Sequence, residues 1–279
     1  MMESVGEHKV KLWMSITNGS EMSGLSEALS FFTILPAGQS NDMSKRILNY
    51  FALTGAIIGS ISGLVFYIVR IIFPGLVAAA VSVSVILLIT GFTHLDGVMD
   101  SGDALMVRGS PERRAAVLKD RFTGAGAFGL AMIIYIPLIA FLSVFTPFQG
   151  FLAILFSEII SKVSYLLMLN GARTINEGLA HHFASLMSIS GGRAFLINIL
   201  IFLIIAATLY PVSVALLPAA VIITYLARRK FYSLFNGING DLLALNGEVT
   251  RLAAVILMAL LSLYVPALPS LASLLLRLT

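Results

Sequence analysis

Apolar runs and polar segments alternate regularly along this chain. Residues 50–73 (YFALTGAIIGSISGLVFYIVRIIF) are long enough to cross a bilayer once, and Pro74-Gly75 supplies a turn. The run 76–93 reads as the return crossing, and a charged segment, 94–126, follows. Residues 127–145 and 148–169 form a second apolar pair, joined at Thr146-Pro147 and followed by the polar segment 170–194. A third pair, 195–210 and 212–227, is broken at Pro211. Polar segment 228–251 then leads to a last apolar stretch, 252–278. Pro266 and Pro269 interrupt that stretch, which predicts either one kinked span or a short hairpin. Before the first span, Leu25, Ala28, Leu29 and Phe32 recur at i, i+3, i+4 and i+7, and Pro36 closes the run. That spacing predicts an amphipathic helix, either lying on the membrane surface or packed as an ordinary helix of the bundle.

The pattern predicts an all-α integral membrane protein: a polytopic bundle of seven or eight transmembrane helices with an N-terminal interfacial amphipathic helix. One domain, 1–279, is expected, with 1–49 as a cytoplasmic arm and 50–279 as the bundle. Composition agrees, at 58% hydrophobic and 11% charged with a mean hydropathy of +0.96, and excludes a soluble globular domain or a disordered chain. A β-barrel is disfavoured because the runs are continuous rather than alternating. The sequence has no cysteine, which rules out disulfides, thiol nucleophiles and Cys-based metal sites. The start, MMESVGEHKVKLWMS, has no apolar core or small-residue cleavage site, so no cleaved signal peptide is read there.

Net charge is a modest +4, and its placement is the informative part. Two crossings separate consecutive charged segments, so all of them must share one face of the membrane. That face carries the Lys and Arg residues from Lys45 through Arg108, Arg114 and Arg229 to Arg251, while the opposite turns carry essentially none. The positive-inside rule puts it in the cytoplasm. The lipid bilayer is an expected partner, nucleic acid is not, and a homo-oligomer is left open.

The chemistry is concentrated in 91-GFTHLDGVMDSGDALMVRG-109. Asp96, Asp100 and Asp103 stand at i, i+4 and i+7, which puts three carboxylates on one face of a helix, with no Lys or Arg between His94 and Arg108. At mid-membrane each would cost roughly 2.5–3.5 kcal/mol, so they must face a polar cavity or the interface. A merely solvated helix end fits poorly, because anions at a helix C-terminus oppose the dipole. Mg²⁺, which takes one or two carboxylates plus substrate phosphates, offsets the charge and points to phosphoryl transfer. His94, beside the cluster, could ligate, hydrogen-bond a phosphate, or act as acid or base.

Downstream, Ser110 and Pro111 read as an N-cap and first helical position, with a helix running to Asp120. Lys119-Asp120-Arg121 then meets Gly124, Gly126 and Gly129, a cation–carboxylate–cation cluster suited to a nucleotide or pyrophosphate. The glycines by themselves read better as a helix-packing surface. Arg113 and Arg114 read as positive-inside anchors. In 236-NGINGDLLALNGE-248, Asp241 opens a helical run as an N-cap or a binding group, with Glu248 seven residues on. Glu158 and Lys162, at i, i+4 inside a span, are either a structural ion pair or part of a cavity wall. His181-His182 read as surface residues.

The run 94-HLDGVMDSGDAL-105 resembles the His-x-Asp-Gly-x-x-Asp-x-x-Asp signature of cobalamin synthases, the adenosylcobinamide-GDP ribazoletransferases. The stretches 31-FFTILPAG-38, 119-KDRFTGAGAFG-129 and 237-GINGDLLALNGE-248 resemble the same family, in the same order along most of the chain. Residues 157-SEIISK-162 depart from the family's more usual Arg-containing version. The resemblance implies transfer of the adenosylcobinamide-phosphate group from its GDP-activated form to α-ribazole or α-ribazole 5′-phosphate, through the 5′-oxygen side, with release of GMP. It implies Mg²⁺ on Asp96, Asp100 and Asp103, and a catalytic set of Asp96, Asp100, Asp120 and His94. Lys119, Arg121, Arg108, Asp241 and Glu248 are the implied substrate-binding residues, in a multi-pass protein of the cytoplasmic membrane.

Rival readings are a CDP-alcohol phosphotransferase, a prenyltransferase and a cation-dependent transporter. The first lacks its Ala-Arg pair, since Val98-Met99-Asp100 stands after Asp96-Gly97. The second needs two acidic clusters. The third expects mid-span carboxylates and an inverted repeat.

Overall fold

A computed structural model describes residues 24–36, 43–120 and 122–264. Among them every regular element is helical. Helix α1 (Gly24–Phe32) precedes a 3₁₀ turn (Lys45–Tyr50) that runs straight into α2 (Phe51–Ile72). Then follow α3 (Gly75–Ile89), α4 (Thr93–Met106), α5 (Pro111–Val117), α6 (Ala125–Leu142) and α7 (Pro147–Leu169). Helix α8 (Leu179–Leu209), a second 3₁₀ turn (Pro211–Ala215), α9 (Leu216–Phe235) and α10 (Gly240–Tyr264) complete the bundle.

Six elements are long and apolar enough to cross a membrane, and α3 and α4 form a pair bent by 94° that makes a seventh only if it is counted as one broken span. The protein is a multi-pass helical membrane protein. Helix α7 is its axis, buried along nearly its whole length, with α2 and α10 against it. The hairpin turns fall where prolines forecast them, at Pro74, Pro147 and Pro211. Thr146 caps α7 together with Gln149, whose side chain accepts the Thr146 backbone N–H at 3.2 Å.

Three expectations change, and one open alternative is decided. The return crossing ends at Ile89 rather than 93, because Gly91 and Phe92 both take left-handed backbone (φ 59° and 61°) and turn the chain through the bend. The carboxylates therefore ride a new helix that lies across the polar end, instead of ending the crossing. Helix α8 absorbs residues 179–194 of the expected polar segment 170–194. At 31 residues it exceeds the ~20 needed to span, so one end reaches beyond the apolar layer. Helix α10 likewise absorbs residues 240–251, and Arg251, read as a surface cation, is 1% exposed. Finally, α1 turns its apolar face inward. Ala28 and Phe32 are buried, with Phe32 against Phe51 and Tyr165, so its contacts are those of a packing helix. The fate of the apolar stretch beyond Tyr264 lies outside the described residues.

The polar connections meet at one end. Ile238 donates its N–H to the Arg173 carbonyl and accepts from Ile175, both at 2.9 Å, stitching the α7–α8 and α9–α10 connections together. Asn198 of α8 accepts from the Ala52 N–H at 2.6 Å and donates to the Leu48 carbonyl at 2.7 Å, fixing the start of α2.

Candidate active site

The first turn of α4 starts at Thr93, so Asp96 lies near a helix N-terminus, where the dipole favours an anion. This removes the electrostatic objection to a solvated carboxylate for Asp96 and leaves it for the later ones. On the helical wheel His94, Gly97, Val98 and Ser101 form a buried face. Asp96, Asp100 and Asp103 point away from it, Asp96 exposed and the other two half-buried.

Gly97 is the contact point with α10. A Cβ there would stand 2.8 Å from the Ala244 Cβ and 3.1 Å from the Asp241 Cα, so only glycine lets the helices approach this closely. The contact brings Asp241 to the carboxylate row. Asp241 is not the N-cap: Asn239 accepts the Leu242 N–H at 3.1 Å through its side chain and donates to Asp241 Oδ2 at 2.7 Å. Burial, then the charges of Asp241, Asp96 and Asp103, push the Asp100 carboxyl up to about 6. Negative charge is concentrated here.

Asp103 is otherwise engaged. Its two oxygens accept the backbone N–H groups of Gly124 (2.6 Å) and Ala127 (2.9 Å), so it caps α6 from a distance of 21 residues along the chain. A Cβ at Gly126 would meet the Gly102 carbonyl at 2.7 Å, which makes these glycines a packing surface between α4 and α6. Two carboxylates of α4, Asp96 and Asp100, are left facing Asp241. Among the described residues no three His, Asp or Glu side chains are grouped to hold a metal by themselves. The donor set fits Mg²⁺ of the kind that takes one or two carboxylates and completes its shell with substrate phosphate and water.

The implied substrate residues separate. Ser110 caps α5 as read, but that helix ends at Val117, and Asp120 closes a turn by accepting the Phe122 N–H at 3.2 Å. Lys119 is exposed in a groove of about 590 Å³ shared with Glu112, Asn176 and Asn236. Arg108 is exposed just beyond α4, and Arg121 lies outside the described residues. Arg114 donates to the Leu105 carbonyl at 3.1 Å, anchoring α5 to the end of α4.

Two expected site residues are in the core. Glu248 is fully buried and bonded to Arg251, so it cannot meet substrate at the polar surface. His94 is 4% exposed, with Nε2 3.0 Å from Lys162 Nζ and Nδ1 3.4 Å from Thr93 Oγ1, on the side of α4 opposite the carboxylates. Glu158 and Lys162 form the i, i+4 pair, at 3.9 Å, and Arg251 joins them. Arg251 had one sequence signal, its i+3 spacing from Glu248.

Residues 24–260 match the family described as cobalamin-5-phosphate synthase. The chain is 36% identical over 241 residues to an adenosylcobinamide-GDP ribazoletransferase of Picrophilus torridus, covering 85% of this chain and 97% of that one. A protein of the same description from Thermoplasma volcanium is 34% identical over 250 residues, 87% of this chain and 92% of the relative. One from Methanosarcina barkeri is 30% identical over 263 residues, 87% and 93% respectively. No solved structure matches. The match spans every element from α1 to the body of α10, and the chain belongs to the cobalamin-5-phosphate synthase family.

Proposed function

We propose that this chain is an adenosylcobinamide-GDP ribazoletransferase that uses Mg²⁺ at the cytoplasmic surface of the cell membrane. The observation that carries the reading is the meeting of Asp96 and Asp100 with Asp241 at the polar end of the bundle, in a member of this family. The reaction transfers the adenosylcobinamide-phosphate group to α-ribazole or its 5′-phosphate and releases GMP. A product named for its 5-phosphate keeps that phosphate, so the 5′-oxygen expected above cannot be the nucleophile. A ribose hydroxyl present in both acceptors must attack the phosphorus next to the corrinoid arm, and the bond to GMP breaks.

The residues divide the work. Asp96 and Asp100 would hold Mg²⁺, with Asp241 facing them from α10. Bound there, Mg²⁺ supplies positive charge to the leaving phosphate. The family resemblance assigns the offsetting of phosphate charge to Lys119, Arg108 and Arg121, and the proton of the attacking hydroxyl to Asp120. The Lys and Arg residues of the polar end support the cytoplasmic orientation.

The test is a detergent-purified protein given adenosylcobinamide-GDP, acceptor and Mg²⁺. The expected result is GMP and a joined corrinoid product in equal amounts, with chelator abolishing both. GMP released equally without acceptor would make the protein a hydrolase, and no release would refute the reading.

A further inference from the structure

Five ionisable side chains are sealed in the interior behind the carboxylate row: Glu158 and Lys162 on α7, Glu248 and Arg251 on α10, and His94 at the start of α4. Arg251 bridges both glutamates. Its Nε is 2.6 Å from Glu158 Oε1, its Nη2 is 3.2 Å from Glu158 Oε2, and its Nη1 meets Glu248 Oε2. Lys162 adds the second cation, 3.9 Å from Glu158, so two anions and two cations cancel. A neutral cluster is how such charges are tolerated inside a membrane protein.

Lys162 does more than balance charge. Its ammonium lies 3.0 Å from His94 Nε2 and 4.9 Å from the centre of the Phe32 ring. An ammonium has donors and no acceptor, so Nε2 accepts and the imidazole is neutral. His94 lies about 200° around α4 from Asp96, at 100° per residue, on the buried face. On α10, Glu248 follows Asp241 by two helical turns on the same face, about 10 Å along the axis. The chain of contacts from His94 through Lys162, Glu158 and Arg251 to Glu248 thus joins the two helices that carry the facing carboxylates. Gly97 sets how closely they approach, but a glycine contact does not set rotation.

We propose that Lys162 is a positioning residue: by holding His94 from the core it fixes the rotation of α4, and so the direction in which Asp96 and Asp100 face Asp241. This rests on those carboxylates being the reaction centre.

Lys162→Met alone leaves the cluster with a net negative charge, so the informative variant is Glu158→Gln with Lys162→Met, which keeps the cluster neutral while removing the hold on His94. The chain has no cysteine, so Met106→Cys, on the exposed last residue of α4, and Gly240→Cys, where a Cβ meets nothing, give one spin-label pair across the two helices. The double variant is expected to fold, to broaden the label-to-label distance distribution, and to bind Mn²⁺ about tenfold more weakly in the absence of substrate. Lys162→Arg, which keeps a donor in reach, is expected to recover both properties. A folded double variant with native distances and native Mn²⁺ affinity would overturn the proposal. So would a double variant that never folds, since Lys162 would then serve folding alone. If the native protein released no GMP, the reaction would be refuted, and the distance measurement would still judge Lys162.

Discussion

Asp96 and Asp241 stand in the first turns of two different helices, and those turns adjoin at Gly97. Each anion lies at the positive end of its own helix dipole, which offsets part of their mutual repulsion. The remainder is what a divalent cation with a pyrophosphate would satisfy.

Asp96→Asn keeps the shape and removes one charge. Without metal its thermal stability should equal or slightly exceed that of the native protein. GMP release should fall on the order of 10²-fold, with more Mg²⁺ required for half-maximal rate. A Mg²⁺ titration of GMP release beside melts in chelator decides it. A destabilised variant with an unchanged Mg²⁺ response would assign Asp96 a structural role.

Asp103→Ala should behave in the opposite way. Losing the acceptor for the Gly124 and Ala127 N–H groups should cost about 1 kcal/mol of stability, the usual worth of a helix cap. The Mg²⁺ concentration for half-maximal turnover should stay near the native value. A large change in that concentration, at native stability, would return Asp103 to the ligand set.

The sign of the pH dependence follows from Asp100. Its carboxyl is raised in the folded protein from 3.8 to about 6, so the folded state binds this proton more tightly than the unfolded state does. The resulting stability is present at low pH and is lost as pH rises through that window. In chelator, Asp100→Asn should flatten this slope and be the more stable protein above about pH 6. Melting curves from about pH 4 to 7 measure it, and parallel slopes for both proteins would contradict it.

Orientation is open to direct labelling, because the chain has no cysteine of its own. Cysteines placed at the exposed Ser110 and Ser185 should resist an impermeant thiol reagent in intact cells, while one at Thr146 should react. The reverse pattern would put the carboxylates outside.

The crossings were readable because a bilayer allows few solutions: continuous apolar runs and prolines at the hairpin turns mark them regardless of packing. Asp96 and Asp100 were readable for a related reason, since one helical turn puts them on one face. What was not readable depends on partners remote in sequence. Asp103 looks like a third member of the row until Gly124, 21 residues on, takes its oxygen. Arg251 looks like a surface cation until Glu158, 93 residues earlier, meets it in the core. The left-handed pair Gly91-Phe92 is a further case, because Phe92 gives no hint of positive φ, and without that bend His94 cannot be told from a site residue.

The buried charge cluster also bears on how the protein is made. Glu158 carries its countercharge four residues away on α7, and Glu248 carries its own three residues away on α10. Each buried glutamate can therefore enter lipid already paired within its own helix, without waiting for the other, while Asp241 stays at the polar end. The cross-pairing of Arg251 with Glu158 then becomes available only when the two helices dock. Insertion and assembly are separated in this way, and the ion pairs that make each helix insertable alone become the latch that selects its neighbour.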